Sequence, residues 1–368
     1  MEERRITDLK AVWGVPLMAV HCAHCGEAHL IPEPALSEAE EGGTLARCPF
    51  CLQRPVAPQP AYLREEPPEQ LLPHALSERE LTGVLERWSR GIWFRPAGLK
   101  AELLTRRARR YLIPLWLVDG QVEAAWRADM GFDYQAVSHQ DQYREGAGWC
   151  SQEVRETRIR WEPRAGRLKR VYENVAGPAL DDHRALMARL GNFDLGQRVA
   201  YTPEMVAGAV VRIPSLEPEA AWPGVEAAFT RTAEAECRRA AAADHIRNFA
   251  LQAEYDDLHW TLLLLPAYVT WYQEGGRVWP LLVNGQSGRV SGARRASARK
   301  ANVTSAVMAA LALILFLVGG GLALLGALAP PAAILGGLLV VIGVLLAVVA
   351  PIPAIGVWVF NRRNASEC

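Results

Sequence analysis

Between Ala306 and Ala329 the chain runs for 24 residues without a charge, and no other feature restricts its folding so severely. At 1.5 Å rise per residue a helix of that length crosses the roughly 30 Å hydrocarbon core of a bilayer. Pro330 and Pro331 interrupt the run. Ala332 to Ala350 then supplies 19 more uncharged residues before Pro351, Pro353 and an apolar stretch to Phe360. Backbone polar groups in hydrocarbon must be satisfied within the segment, so two antiparallel helices joined by a tight Pro-Pro turn are expected. No Asp, Glu, Lys, Arg or His lies inside either span, which favours an anchor over an ion or proton path. Gly319, Ala323 and Ala327 on the first helix, and Gly336, Gly343 and Ala347 on the second, offer small faces. Such faces pack helices closely, within one chain or between copies in a homo-oligomer.

Flanking charge sets the expected orientation. Arg289, Arg294, Arg295, Arg299 and Lys300 precede the first span, Arg362 and Arg363 follow the second, and the turn between has none. That distribution places both chain ends in the cytoplasm. The opening sequence MEERRITDLKAVWG has no apolar core of signal-peptide length, so the remainder is expected to stay on the side where it is made. The expected location is the cytoplasmic membrane, with two spans and membrane lipid as one partner. Basic residues before the first span can also attract anionic headgroups at about 1 kcal/mol each, although topology signalling explains them as well.

The opposite end carries a different constraint. Cys22 and Cys25 form one CxxC pair, Cys48 and Cys51 another, and 22 residues separate them. Each pair can turn two thiolates toward one ion, and the intervening segment brings the chain back to complete a tetrahedral four-sulfur zinc site. Such a site is coordinatively closed, so its expected role is structural. Zinc binding supplies on the order of 10 to 16 kcal/mol to small domains, enough to fold a ribbon with few apolar side chains. Gly26 suits the turn after the first pair. His21, His24 and His29 lie near enough in sequence to compete as ligands. Glu33, Glu38, Glu40 and Glu41 in the intervening loop would repel phosphates, which favours protein contact for the ribbon. Cys150, Cys237 and Cys368 stand alone, a pattern of metal site plus spare thiols rather than a disulfide framework.

The expected fold class is α+β. It comprises an N-terminal segment and ribbon over residues 1–52, a Pro-rich linker over 53–76, a mixed domain over 77–300 and a transmembrane hairpin with a short basic tail over 301–368. Pro55, Pro58, Pro60, Pro67, Pro68 and Pro73 describe the linker as semi-rigid, which mounts the ribbon separately. Ser77 and Glu80 have capping-box spacing and open a helix that carries Leu81, Leu85 and Trp88. Strands are expected at Tyr111 to Val118, Val122 to Trp126, Glu153 to Trp161 and Leu168 to Tyr172, with turns at Asp119-Gly120 and Arg164 to Arg167. Asp181 to Leu190 and Pro223 to Phe249 read as helices. Strand and hairpin return at Leu262 to Gln273, Arg277 to Val283 and Arg289 to Val290, which makes the sheet mainly antiparallel. Leu112 to Leu117 and Leu264 to Val269 share a pattern of Pro between an apolar pair and an aromatic, as in a degenerate duplication of one strand-hairpin unit.

Positive and negative charges balance, with 40 Lys and Arg against 40 Asp and Glu. Nothing in that total suggests the basic footprint of a nucleic-acid binder. Catalytic signatures are also missing: no GxSxG elbow, no HExxH and no dinucleotide fingerprint opening a helix. Asp181, Asp182 and His183, and separately Asp256, Asp257 and His259, could hold a metal or do acid–base chemistry. Charged helix starts and solvated faces produce such triplets as often, and a non-enzymatic chain is expected.

Taken together, the Cys₄ ribbon, Trp88 to Pro96, Pro114-Leu115-Trp116, Tyr201-Thr202-Pro203-Glu204 with Gly208, and Val283 to Gly292 (VNGQSGRVSG) resemble bacterial TFIIB-type zinc-ribbon membrane proteins. Members of that family often carry a label borrowed from primosomal protein N', the replication helicase. The resemblance covers most of residues 20 to 300. The chain departs at Leu52, where a ribbon often has Gly, and at Arg295-Ala296, where relatives tend to have Pro-Tyr. Helicase chemistry needs a phosphate-cradling GxxxxGK[ST] loop, and the sequence has none. The resemblance implies a membrane adaptor that brings SPFH-domain or phage-shock-type proteins to the cytoplasmic membrane face. The alternative is a membrane-tethered nucleic-acid binder related to replication.

Overall fold

Tyr111 to Val118 is apolar at every position, and a strand of that kind has to be covered on both faces. In the computed structural model, which describes residues 9–32, 48–52, 56–58, 68–146, 148–325 and 330–364, all eight residues are buried. The elements run α1 (Leu9–Trp13), β1 (Leu17–His21), β2 (Ala28–Pro32), β3 (Ala57–Pro58), β4 (Gln70–Leu71), α2 (Glu78–Ser89), α3 (Ala101–Arg107), β5 (Arg109–Arg144) and β6 (Gly148–Pro178). They continue with α4 (His183–Leu190), β7 (Val199–Ala200), α5 (Pro203–Val206), β8 (Val210–Arg212), α6 (Pro218–Ala240), β9 (His245–Glu274), β10 (Arg277–Asn284) and β11 (Val290–Gly292). Three apolar helices follow: α7 (Ala298–Leu325), α8 (Pro330–Val349) and α9 (Ile352–Arg363). The architecture is α+β, and the described residues form a mostly antiparallel sheet of 11 strands.

At the sheet's centre β5 pairs antiparallel with β9, with Ile113 opposite Leu265. The two look-alike segments therefore lie side by side, related by a local twofold axis through that pair. The surroundings obey the same relation. β8 pairs parallel with β5 at Tyr111 and Leu112, and β4 pairs parallel with β9 at Leu263 and Leu264. β6 meets β5 from Leu115, while β10 meets β9 at Ala267. The Ala75 amide donates to the Gly285 carbonyl and the Ser215 amide to the Ala179 carbonyl, both at 3.0 Å. Strand, helix, long strand and return strand thus occur twice in order, β4-α2-β5-β6 and β8-α6-β9-β10, each short strand pairing onto the other unit's long strand. The helices cross over too: α2 packs Leu81 and Leu85 against Tyr268 and Leu281, and α6 packs Val225 and Phe229 against Trp116 and Val118.

Several expectations need correction. Neither Asp119-Gly120 nor Arg164 to Arg167 is a turn: β5 runs 36 residues and β6 runs 31, and the turn after β5 is at Glu145 and Gly146. Gly166 faces Trp126 inside the ladder, where a Cβ would stand 2.8 Å from the indole Nε1, so its missing side chain makes room for the ring. Gly120 similarly admits Leu258, and the register shifts there as a bulge with Asn174 and Asp257 at positive φ. The helix expected to reach Phe249 stops at Ala240; His245 to Phe249 belong to β9. The ribbon is not separately mounted, because β2 pairs with β8 at His29 to Arg212 and Leu30 to Val211. Pro58 pairs with β1, while Leu71 and Leu72 are buried in the core. Pro55, Pro60 and Pro67 lie outside the described residues.

Beyond Gly131 opposite His245, β9 ends and β5 and β6 continue as a two-stranded arm to Arg144 opposite Gly148. At its end Tyr143 and Trp149 are 64% and 74% exposed and meet edge to face at 5.6 Å.

α7 and the continuous run from Pro330 to Arg363 are each long and apolar enough to cross a membrane, and their side chains are mostly exposed. That exposure separates them from the buried core helices of a soluble domain. They pack through glycine: a Cβ at Gly319 would stand 2.8 Å from the Gly336 carbonyl and the Val340 amide, and one at Gly343 3.0 Å from the Ala312 carbonyl. The small faces are thus used within the pair; Ala327 lies outside the described residues. Pro330 and Pro331 open α8. The pair is pinned to the sheet domain by Asn361, whose Oδ1 accepts from the Ala296 amide at 2.9 Å and whose Nδ2 donates to the Ala296 carbonyl at 3.0 Å. Val357 and Phe360 continue the core beneath α2 and α3. The start of α7 and the end of α9 therefore lie together, beside the domain.

A direct check compares two neighbouring glycines. Gly319→Leu should lower stability by about 1–3 kcal/mol through overpacking, seen as a lower melting temperature in detergent. Gly320→Leu, with nothing within 4 Å of its added Cβ, should leave that temperature unchanged.

Candidate metal centre

Each cysteine pair sits in its own tight turn. The Gly26 amide donates to the Cys22 carbonyl at 2.9 Å and the Leu52 amide to the Cys48 carbonyl at 3.0 Å, and the chain leaves both turns at positive φ, +75° at Gly26 and +59° at Leu52. A buried leucine thus occupies a left-handed position that costs a residue with a side chain roughly 1–2 kcal/mol relative to glycine. The turns face one another. Cys22 and Cys51 sulfurs are 3.7 Å apart, as are those of Cys25 and Cys48, and all four lie within 4.8 Å of one another. A tetrahedral ion with metal–sulfur bonds of about 2.3 Å requires sulfur separations near 3.8 Å. The tetrad fits such an ion and is too wide for disulfides, whose sulfurs lie about 2.05 Å apart.

Electrostatics points the same way. Burial pushes the Cys25 thiol well above its ordinary value and the Cys48 thiol to about 12. Burial also opposes ionisation of Cys22, but the backbone amides of Cys25 and His24 donate to its sulfur and bring it down to about 7. Four thiolates cannot share this space without a cation to compensate them, and a divalent ion would do so.

The metal knuckle is bolted to the sheet by a buried polar cluster. Arg212 is 1% exposed. Its Nε donates to Glu27 Oε2 at 2.8 Å, its Nη1 donates to Asp182 Oδ2 at 3.1 Å, and its Nη2 contacts both carboxylates. Phe50, between Cys48 and Cys51, lies with its ring 5.1 Å from that guanidinium and stacks on Tyr111 at 6.3 Å. Tyr111 in turn shares a 2.9 Å hydrogen bond with His29 Nε2. The sequence marked the four cysteines but gave no sign of Arg212, because its partners Glu27 and Asp182 are 185 and 30 residues away.

Among the described residues only Cys22, Cys25, Cys48 and Cys51 form a group able to hold a metal. His21, His24 and His29 are not in it; His29 is fully buried against Tyr111. Asp182 is committed to Arg212, and the Asp181 amide is tied to Ser215 Oγ at 3.0 Å. Burial holds His183 below its ordinary value. Asp256, Asp257 and His259 are exposed on β9 beside the bulge. Neither triplet forms a metal-binding group with the other. The Glu33, Glu38, Glu40 and Glu41 segment and Cys368 lie outside the described residues, while Cys237 is buried in α6. Compared with family models, curated proteins and solved structures, the chain finds no match.

Two outcomes follow from this geometry. Cys48→Ser should abolish bound metal by elemental analysis, and chelation of the unaltered chain should lower its melting temperature by several degrees, consistent with a loss of about 1 kcal/mol or more. The second concerns acid. Burial lowers His29 to about 3 and His74 to about 4, whereas an unfolded imidazole titrates near 6.5. Below that value the unfolded chain takes protons that the folded chain refuses. Stability is therefore retained above pH 6.5 and falls between pH 6.5 and 4, by up to about 1.4 kcal/mol per pH unit for each histidine. His74→Gln, remote from the sulfurs, should flatten the decline in melting temperature between pH 7 and pH 5.

Proposed function

We propose that this chain is a non-enzymatic adaptor, anchored in the cytoplasmic membrane by its helix pair, braced by a structural zinc ion, and recruiting protein partners through its projecting arm. The arm carries this reading. Some 13 residues of each strand run past the end of β9, a reach of about 45 Å, and end in the exposed Tyr143 and Trp149. Large aromatics standing in water are the anchors that protein interfaces use. Residues 132–162 hold six acidic and four basic side chains, a balance suited to a protein partner and poorly suited to phosphate.

Zinc is favoured because four thiolates in a closed tetrahedron match its ligand preference and leave no position for substrate. The basic flanks Arg294, Arg295, Arg299 and Lys300 favour a cytoplasmic sheet domain, with both chain ends on that side. The repeated strand–helix–strand–strand order and its local twofold relation support a degenerate duplication. Resemblance to the TFIIB-type zinc-ribbon membrane family makes SPFH-domain or phage-shock-type proteins the partner class to seek.

The test is affinity purification of the full-length chain from native membranes beside the double variant Tyr143→Ala, Trp149→Ala. A protein recovered near one-to-one with the unaltered chain should be lost from the variant, which should still enter membranes and keep its metal. Recovery of salt-releasable nucleic acid in place of protein would replace the adaptor with a nucleic-acid binder. Equal recovery of the partner by the variant would remove the arm from the proposal.

A further inference from the structure

Where the sheet domain meets the helix pair there is a cavity of about 1090 Å³. Phe94 and Gly98, from the connection before α3, form one wall; the turn between β9 and β10 forms a second; the start of α7 forms the third. Three cations line it, Arg107, Arg299 and Lys300, against the single carboxylate of Glu274. None of the three is in an ion pair among the described residues. Two of the heads are held in place: Lys300 Nζ donates to the Arg95 carbonyl at 2.8 Å, and the Arg107 guanidinium lies 4.3 Å from the centre of the Trp271 ring. Lysine has three donors and arginine five, so most of the donors at this cavity remain available. Three cations against one carboxylate leave the recess with an excess of positive charge, which an entering anion would offset.

The surroundings indicate where that anion comes from. Val303, on the cavity wall, begins a row with Val307, Leu311 and Ile314 along one face of α7, each about half exposed. This apolar track leads from the cations down the helix. Trp93, 76% exposed, stands on the loop that supplies Phe94 to the cavity, and tryptophan so placed is characteristic of the headgroup level of a bilayer. A free phosphate would use the cations and leave the track unexplained.

We propose that this cavity binds the phosphate of an anionic phospholipid, with Arg107, Arg299 and Lys300 as its donors and the Val303–Ile314 face of α7 as the bed of one acyl chain. The proposal rests on the membrane-anchored reading. It assigns a specific seat to lipid at the junction and makes that lipid a wedge between sheet domain and span.

The full-length chain is incorporated into nanodiscs of mixed phosphatidylglycerol and phosphatidylcholine, released, and weighed by native mass spectrometry. One phosphatidylglycerol should remain bound per chain, and millimolar inorganic phosphate should not displace it. Arg299→Gln with Lys300→Gln should weaken retention roughly thirtyfold, since each basic residue near a membrane surface is worth about a factor of five. Ala298→Trp, which fills the recess without altering charge, should also expel the lipid; general attraction to basic residues would leave that variant unaffected. Equal retention of the two lipids, retention undiminished in both variants, or displacement by inorganic phosphate would overturn the lipid site. Failure of the chain to enter nanodiscs at all would instead overturn the anchor, and the lipid site with it.

Discussion

A guanidinium that has lost its water must be surrounded by charge and hydrogen-bond acceptors, and Arg212 meets that demand with Glu27 from the ribbon and Asp182 from the start of α4. A buried ion pair of this kind is weak as a source of net stability but expensive to break, because one partner alone is left charged and dry. Its effect is on placement. Arg212 lies opposite His29 in the ladder between β2 and β8, so a slip of one residue would drive the guanidinium to the other face. The same side chain lies against Phe50 between two of the sulfurs. Register in the sheet and the position of the metal turns are therefore set by one group.

The other end of the molecule solves the opposite problem. Two helices that expose apolar side chains along most of their length have to be joined to a charged sheet domain without leaving backbone groups unpaired at the junction. Asn361 supplies donor and acceptor to the backbone of Ala296, and Tyr272 donates to the Ala293 carbonyl at 2.7 Å. Arg295 caps the arrangement by donating to the Asn361 carbonyl at 2.6 Å while lying over Trp279 at 4.5 Å. Proline at 295 would break this arrangement by removing the amide that donates to Tyr272 Oη at 3.1 Å.

What the sequence disclosed was local. Ser77 and Glu80 cap each other across three residues, and both bonds of the box are present. Cysteine spacing and charge-free length are local in the same sense. What it concealed depended on partners far away. Gly120 and Gly166 have the composition of turns, yet each removes a Cβ where Leu258 or Trp126 needs the space. The alanine-rich stretch after Pro223 has helical propensity throughout, but its last part is claimed by the ladder between β5 and β9 at His245 to Arg247, where strand pairing outweighs a few tenths of a kcal/mol of propensity per residue. The cysteine tetrad was legible and its attachment to the sheet was not, since Glu27 and Arg212 are joined only by the fold.

Val357 and Phe360 lie in a core whose other members come from Leu81 through Ala301. On the membrane-anchored reading proposed above, the chain threads both apolar helices through the bilayer and returns before that core can close. During synthesis the sheet domain emerges first yet waits, with Leu85, Leu99 and Leu104 uncovered on that side, for a helix made more than two hundred residues later than Leu85. On that reading, membrane insertion is also a folding step of the sheet domain: a chain that misses the bilayer keeps an open, sticky floor, which marks it for chaperones and proteases.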